Sequence, residues 1–323
     1  MRRVPLDSGH RLPFLPPPVL VRIAALLIGI AAALSPVMTS AQEVRSGLLW
    51  EVRSASTRVF LLGTIHVGSR DLYPLPAAVE AAYASAAVLA LEADLSTEAS
   101  LAALGTRFVY SPPDNLERHI PPALFRQAAD TLDRYGLPPD VGRAMKPHML
   151  SMALMLFEAG RMGLDASLGL DLHLTRRAHA DGKRIVELES VAMQAELLES
   201  ISMQAQVAML ENTVTGIRDG SLPRDLAALM DAWKRGDANR LHGIAVREFS
   251  RLPGPVGQEL EARLYTDRNI AMADQVAAML AGQDVVLVAV GAGHMTGPRG
   301  LVSLLREKGY GVEQRTAPGG ARR

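Results

Sequence analysis

Two stretches far apart in the chain share one shape, and that echo limits the possible folds more than any other feature. Phe60-Leu61-Leu62 runs into Gly63-Thr64-Ile65-His66, with Gly68 close behind. Val286-Leu287-Val288-Ala289-Val290 runs into Gly291-Ala292-Gly293-His294, with Gly297 close behind. Each is an apolar run that stops at a glycine and sets a histidine three residues further on, before a helical pattern. Short apolar runs bounded by turn residues read as buried strands. In open α/β sheets, ligands bind beyond the carboxyl ends of the strands. Both histidines are therefore expected at a site, and the glycines allow a sharp turn and leave room beside a ligand.

The rest of the chain extends the pattern. Strands are expected at 48–53, 59–62, 88–91, 185–188, 285–290 and 310–315. Helices are expected at 77–86, 123–135, 149–162, 170–180 and 299–308, with longer helical stretches over 191–231 and 258–280. Pro121 and Pro122 sit where a first helical turn tolerates proline, and Gly136 follows as a stop. Strands alternate with helices at both ends, and helices fill the middle. The pattern predicts an α/β fold: one mixed central sheet flanked by helices, with a largely helical insert, in a single domain over 42–323.

The first 41 residues have a different character. Arg2, Arg3 and Arg11 precede an apolar run from Ile23 to Leu34, which leads to Thr39-Ser40-Ala41. A basic start, a short apolar middle and a small-x-small end describe a secretory signal peptide, cleaved after Ala41. The apolar run is short for a membrane span. The expected protein is exported and periplasmic, without a stable span after cleavage; the long basic segment leaves an uncleaved anchor as the other reading.

Composition narrows the chemistry. The chain has 34 basic and 34 acidic residues and only 4% aromatics, so neither a basic footprint nor a stacking platform points to nucleic acid. Without cysteine there is no disulfide, no thiolate nucleophile and no zinc–thiolate site. Any transition metal must then be held by histidine and carboxylate. His66 and His294 are the expected imidazole ligands. Glu92, which closes the apolar run 88–91, is the expected carboxylate, a catalytic residue that holds the ion or activates its water, on a strand that can neighbour the one bearing His66. Two imidazoles and a carboxylate leave open positions for water and substrate, and suit manganese, cobalt, zinc or iron alike. The remaining histidines, among them His119, His148, His173, His179 and His242, lack this context and read as structural or solvated. No G-x-S-x-G, phosphate loop or H-E-x-x-H is present.

On these blocks the chain resembles the TraB/PrgY/GumN family, and more distantly the Tiki metalloproteases and erythromycin-esterase-like proteins. The resemblance runs through "FLLGTIH", "YPLP", "LALEAD", "GLDLHLTRRAHADGKRIVELES", "RNIAMADQVAAML" and "VVLVAVGAGHMTGPRGLVSLLREKGYGVE". It implies an α/β fold with a helical insert and, in the Tiki branch, metal-dependent hydrolysis. It carries over His66, His294 and Glu92, and marks Glu189 and Arg268 as further positions. Arg268 is expected to clamp a carboxylate or meet developing negative charge. Glu189 has two readings, a partner that fixes a histidine tautomer or a helix N-terminal acid. The serine of "LES" and Glu187 depart from the family's usual residues and leave the pocket lining open. The expected function is an exported metal-dependent hydrolase with peptide as its first substrate class. A non-catalytic periplasmic binding protein and a small-molecule esterase are the alternatives.

Overall fold

A computed structural model of the chain describes residues 47–97 and 107–315. The expected signal peptide and its cleavage after Ala41 lie outside the described residues.

Strands β1 (Leu48–Arg53) and β2 (Arg58–Thr64) form a hairpin. Its turn is closed by the Ser54 hydroxyl, which accepts from the Thr57 N–H at 3.1 Å. Helix α1 (Ala77–Ser85) leads to β3 (Val88–Leu91). Three helices follow, α2 (Pro122–Asp133), α3 (Pro139–Arg143) and α4 (Pro147–Arg161), each with proline in its first turn, where no N–H is needed. Then come α5 (Leu170–Ala180) and β4 (Arg184–Glu187). A helical series follows: α6 (Val191–Ser200), α7 (Met203–Asp219), α8 (Ser221–Arg235), α9 (Ala238–Ser250), α10 (Gly254–Glu261) and α11 (Asp267–Leu280). The chain closes with β5 (Val286–Gly291), a single turn α12 (Ala292–Met295), α13 (Leu301–Glu307) and β6 (Gly311–Gln314).

The helical run expected over 191–231 is three helices, because local chemistry cuts it. The Ser202 side chain caps α7 by accepting from the Ala205 N–H. Gly220, at φ +72°, takes the left-handed conformation that ends α7 and starts α8. Between α10 and α11 the chain widens into a π-helical turn, Ala262–Thr266, a distortion that often marks functional sites.

The six strands form one mixed sheet in the order β4-β3-β5-β2-β1-β6. The first four are parallel; β1 runs antiparallel to both β2 and β6. One expectation needs correction. Strands β2 and β3 are not neighbours; β5 lies between them, pairing Val288 with Leu61 on one side and Ala90 on the other. Every residue of β5 is buried, and such a strand is stable only where both of its edges and both of its faces are covered.

Two large apolar cores result. The first packs sheet residues such as Leu61, Leu89 and Leu287 against Leu174 of α5, Trp233 of α8 and Val276 of α11. The second lies within the insert, where Leu124, Leu132, Leu150, Leu154, Leu210 and Val214 pack α2, α4 and α7 together. Among the described residues no helix is long and apolar enough to cross a membrane.

Candidate functional site

Because β2, β3, β4 and β5 run parallel, their carboxyl ends share one edge. His66, Glu92, Glu189 and His294 each follow one of these ends by one to three residues. The order of the sheet puts the His294 loop between the His66 loop and Glu92. Gly291, the last residue of β5, is where they meet. A β-carbon placed there would lie 3.2 Å from Glu92 Oε1, 3.6 Å from His66 Nε2 and 3.6 Å from His294 Cδ2. Glu92 Oε1 lies 3.8 Å from His294 Nε2.

Each imidazole is held from its far side. His66 Nδ1 stands 3.0 Å from Asp171 Oδ2, and His294 Nδ1 stands 2.6 Å from Asn269 Oδ1. The Asn269 amide is oriented in turn, since its Nδ2 donates to the Arg299 carbonyl at 2.8 Å. The His294 Nδ1–H therefore donates to Asn269, leaving a lone pair on Nε2. The same pattern at His66 holds when that ring is neutral. A histidine whose Nδ1–H is engaged in this way is oriented to offer Nε2 to a cation.

The electrostatics of the two rings differ. Asp171, by its charge and then by its hydrogen bond, raises the His66 pKa above the ordinary value, although 66% of that side chain is exposed and water screens the pull. Burial dominates at His294 and lowers its pKa to about 4. Asp171 lies in the first turn of α5, where a negative charge suits the helix dipole. The segment that carries it is docked on the His66 loop. The Leu170 N–H donates to the Ile65 carbonyl at 2.9 Å, and a β-carbon on Gly169 would strike the His66 carbonyl oxygen at 2.5 Å.

Glu92 is held by the fold. Its Oε1 accepts from the Gly291 N–H at 2.6 Å, and its Oε2 from Arg268 at 2.7 Å. Arg268 binds Glu189 with two further bonds of 2.7 Å, and a fourth goes to the Leu264 carbonyl. Gln194 donates to Glu189 at 3.0 Å and to Glu92 at 3.4 Å. Burial pushes the Glu92 carboxyl up, but His294, His66, Arg268 and the Gly291 N–H outweigh it and hold the pKa at about 2. Glu189 thus faces a guanidinium, while Asp171 and Asn269 hold the histidines.

The glycines divide their work. Gly291 keeps the meeting point open. Gly63 makes room for the backbone of Ala292, 3.1 Å from where its β-carbon would be, so it serves packing between β2 and α12. Gly293 lies under Tyr265, whose ring would be 2.5 Å from a β-carbon there. Tyr265 belongs to the π-helical turn, and its ring sits 5.1 Å from that of His294. Burial, then the charge of Glu92, raises its pKa.

The structure brings His66, His294, Glu92, Glu189, Arg268, Gly291 and Gly293 to one edge. It does not close them into a cage: among the described residues, no three His, Asp or Glu side chains stand ready to hold a metal ion. Yet 3.8 Å is less than twice a metal–ligand bond of about 2.0–2.2 Å, so His294 Nε2 and Glu92 Oε1 can share one ion. His66 is the exposed partner of the set. Sequence reading missed Asp171, Asn269, Gln194 and Tyr265. Asp171 and Asn269 stand inside the blocks quoted above, Asn269 directly after Arg268, but nothing in the local pattern says which histidine each would meet.

The fold and this edge define an α/β protein with paired G-x-x-H loops beside a partly buried glutamate. Comparison with known proteins makes the class specific: the chain belongs to the TraB/PrgY/gumN family, whose model matches residues 48–314. It is 30% identical over 247 residues to YbaP of Escherichia coli K12, covering 76% of this chain and 87% of YbaP. It is 24% identical over 322 residues to metalloprotease TIKI1 of Danio rerio, covering 85% of this chain and 64% of that protein. It is 25% identical over 326 residues to metalloprotease TIKI2 of Xenopus tropicalis, covering 87% and 62% respectively. No solved structure matches.

Proposed function

We propose that this chain is an exported metal-dependent hydrolase with peptides as its first substrate class, and that His66, His294 and Glu92 hold its divalent ion. The observation that carries this reading is the point beside Gly291, reached by Glu92 Oε1 and by a ring atom of each histidine, with both Nδ1 atoms engaged behind. The relatives named metalloproteases support it. When bound, such an ion would polarise a carbonyl and make a coordinated water more acidic. Manganese, cobalt, zinc and iron all suit two imidazoles and a carboxylate.

The chain's own part is positioning. Asp171 and Asn269 orient the imidazoles. Arg268 and the Gly291 N–H fix the Glu92 carboxylate and keep it ionised. Calorimetric titration of the purified protein with manganese or zinc tests the reading. Wild type is expected to take up one ion, and His66→Ala or His294→Ala to abolish uptake. No uptake by wild type overturns the proposal, and recovery of the protein in the cytoplasm on fractionation overturns export.

One observation favours a second reading. Both Glu92 oxygens are engaged, by the Gly291 N–H and by Arg268, which leaves the carboxylate a weak proton acceptor and suits a protein that binds without turnover. A panel of peptides and esters separates the cases. Peptide cleavage supports the peptidase, ester cleavage alone an esterase, and binding with no product the non-catalytic protein.

A further inference from the structure

A hydrolytic site needs a donor for the oxygen that gains negative charge. Arg268 is poorly placed to provide it, because its guanidinium is already engaged by Glu189, Glu92 and the Leu264 carbonyl. Beside it stands a donor with no such commitment. The Tyr265 hydroxyl makes no hydrogen bond to any described residue. Its ring is held between Phe249, at 5.6 Å, and His294, at 5.1 Å. The π-helical turn brings it there, and the missing side chain of Gly293 makes the space, since a β-carbon would lie 2.9 Å from the hydroxyl oxygen.

Tyr265, whose ring stands 5.1 Å from that of His294, also lines a solvent-open cavity of about 110 Å³, together with Val246, Phe249, Glu261, Asn269 and Thr296. The Thr296 hydroxyl, on the same cavity, is buried and has no partner among the described residues. Two hydroxyls without a partner among the described residues, beside the apolar Val246 and Phe249 and the polar Glu261 and Asn269, suit a ligand that brings an oxygen and a small apolar group.

We propose that the Tyr265 hydroxyl donates a hydrogen bond to the ligand oxygen at this site, the carbonyl oxygen of the bond to be cleaved, with the adjoining substrate group seated in the cavity beyond it. The phenol stays protonated and moves no proton; its bond to the oxygen strengthens as charge builds there. This rests on the metal-dependent reading above, and the test keeps the two apart.

Inorganic phosphate, a tetrahedral oxyanion, is titrated into the manganese-loaded full chain, wild type and Tyr265→Phe, after manganese uptake has been measured for each. Expected are equal manganese affinities and melting temperatures, with phosphate bound about tenfold more weakly by Tyr265→Phe, the loss of roughly one hydrogen bond to a charged group. A ring that served only packing would leave both affinities unchanged. Equal phosphate affinity in the two proteins overturns the inference alone, as does a manganese-loaded wild type that binds no phosphate. A wild type that takes up neither manganese nor zinc overturns the functional reading and this inference with it.

Discussion

At Gly291 the missing side chain keeps a space open among Glu92, His66 and His294. Its backbone angles, φ −48° and ψ 136°, suit any residue. Alanine there would cost the fold little but would put a methyl group where an ion is proposed. Gly291→Ala is expected to melt within a few degrees of wild type and to bind manganese at least tenfold more weakly by calorimetry; unchanged affinity would place the ion elsewhere. The histidines stood out in the sequence because a strand end followed by glycine is a local pattern, and Glu92 because it closes an unbroken apolar run. Asp171 and Asn269 were not, because a hydrogen bond between residues 105 apart, as at His66 and Asp171, leaves no periodic trace. Tyr265 was hidden for another reason: an aromatic in a helical stretch reads as core filler unless the widened turn beneath it is known.

The elements repeat this lesson on a larger scale. Strand positions were readable to within a residue or two, since unbroken apolar runs have few other uses. The place of β5 between β2 and β3 was not, because several sheet orders bury the same runs equally well. Helix α8 shows how the insert reaches the site. Trp233 is fully buried against the sheet and donates from Nε1 to the Gly63 carbonyl at 2.6 Å, at the root of the His66 loop. Trp233→Phe keeps an aromatic ring but strands that carbonyl, which costs about 1–3 kcal/mol when buried. Urea denaturation should show a loss of that size. A loss below roughly 0.5 kcal/mol, less than a typical hydrogen bond contributes, would mean the bond does not anchor the loop.

For the whole molecule, the helical core away from the sheet gives stability its own dependence on acidity. His148 is fully buried there. Its Nδ1–H donates to Gln206 Oε1 at 2.7 Å, and Gln206 is itself fixed by donating to the Ile201 carbonyl. Its Nε2 has no partner among the described residues. Burial lowers the His148 pKa below 6.5, against the pull of Gln206 and Glu199 and with that of Lys146. Between the lowered value and 6.5 the unfolded chain binds more protons than the folded one, so stability rises with pH. The contribution is complete above 6.5 and is lost as pH falls through the folded value. The melting temperature should drop between pH 7 and pH 5, and drop less in His148→Gln; parallel curves would show that another group sets the slope.

The central position of β5 also bears on how the protein is made. Strands β2 and β3 leave the ribosome early, whereas the strand that joins them comes after the entire helical middle. A partly synthesised chain can fold its insert but carries two unpaired strand edges, the condition that invites mispairing and aggregation. Completion of the sheet and arrival of the second histidine are one late event, so a fragment released before residue 286 would have neither a continuous sheet nor a cation pocket.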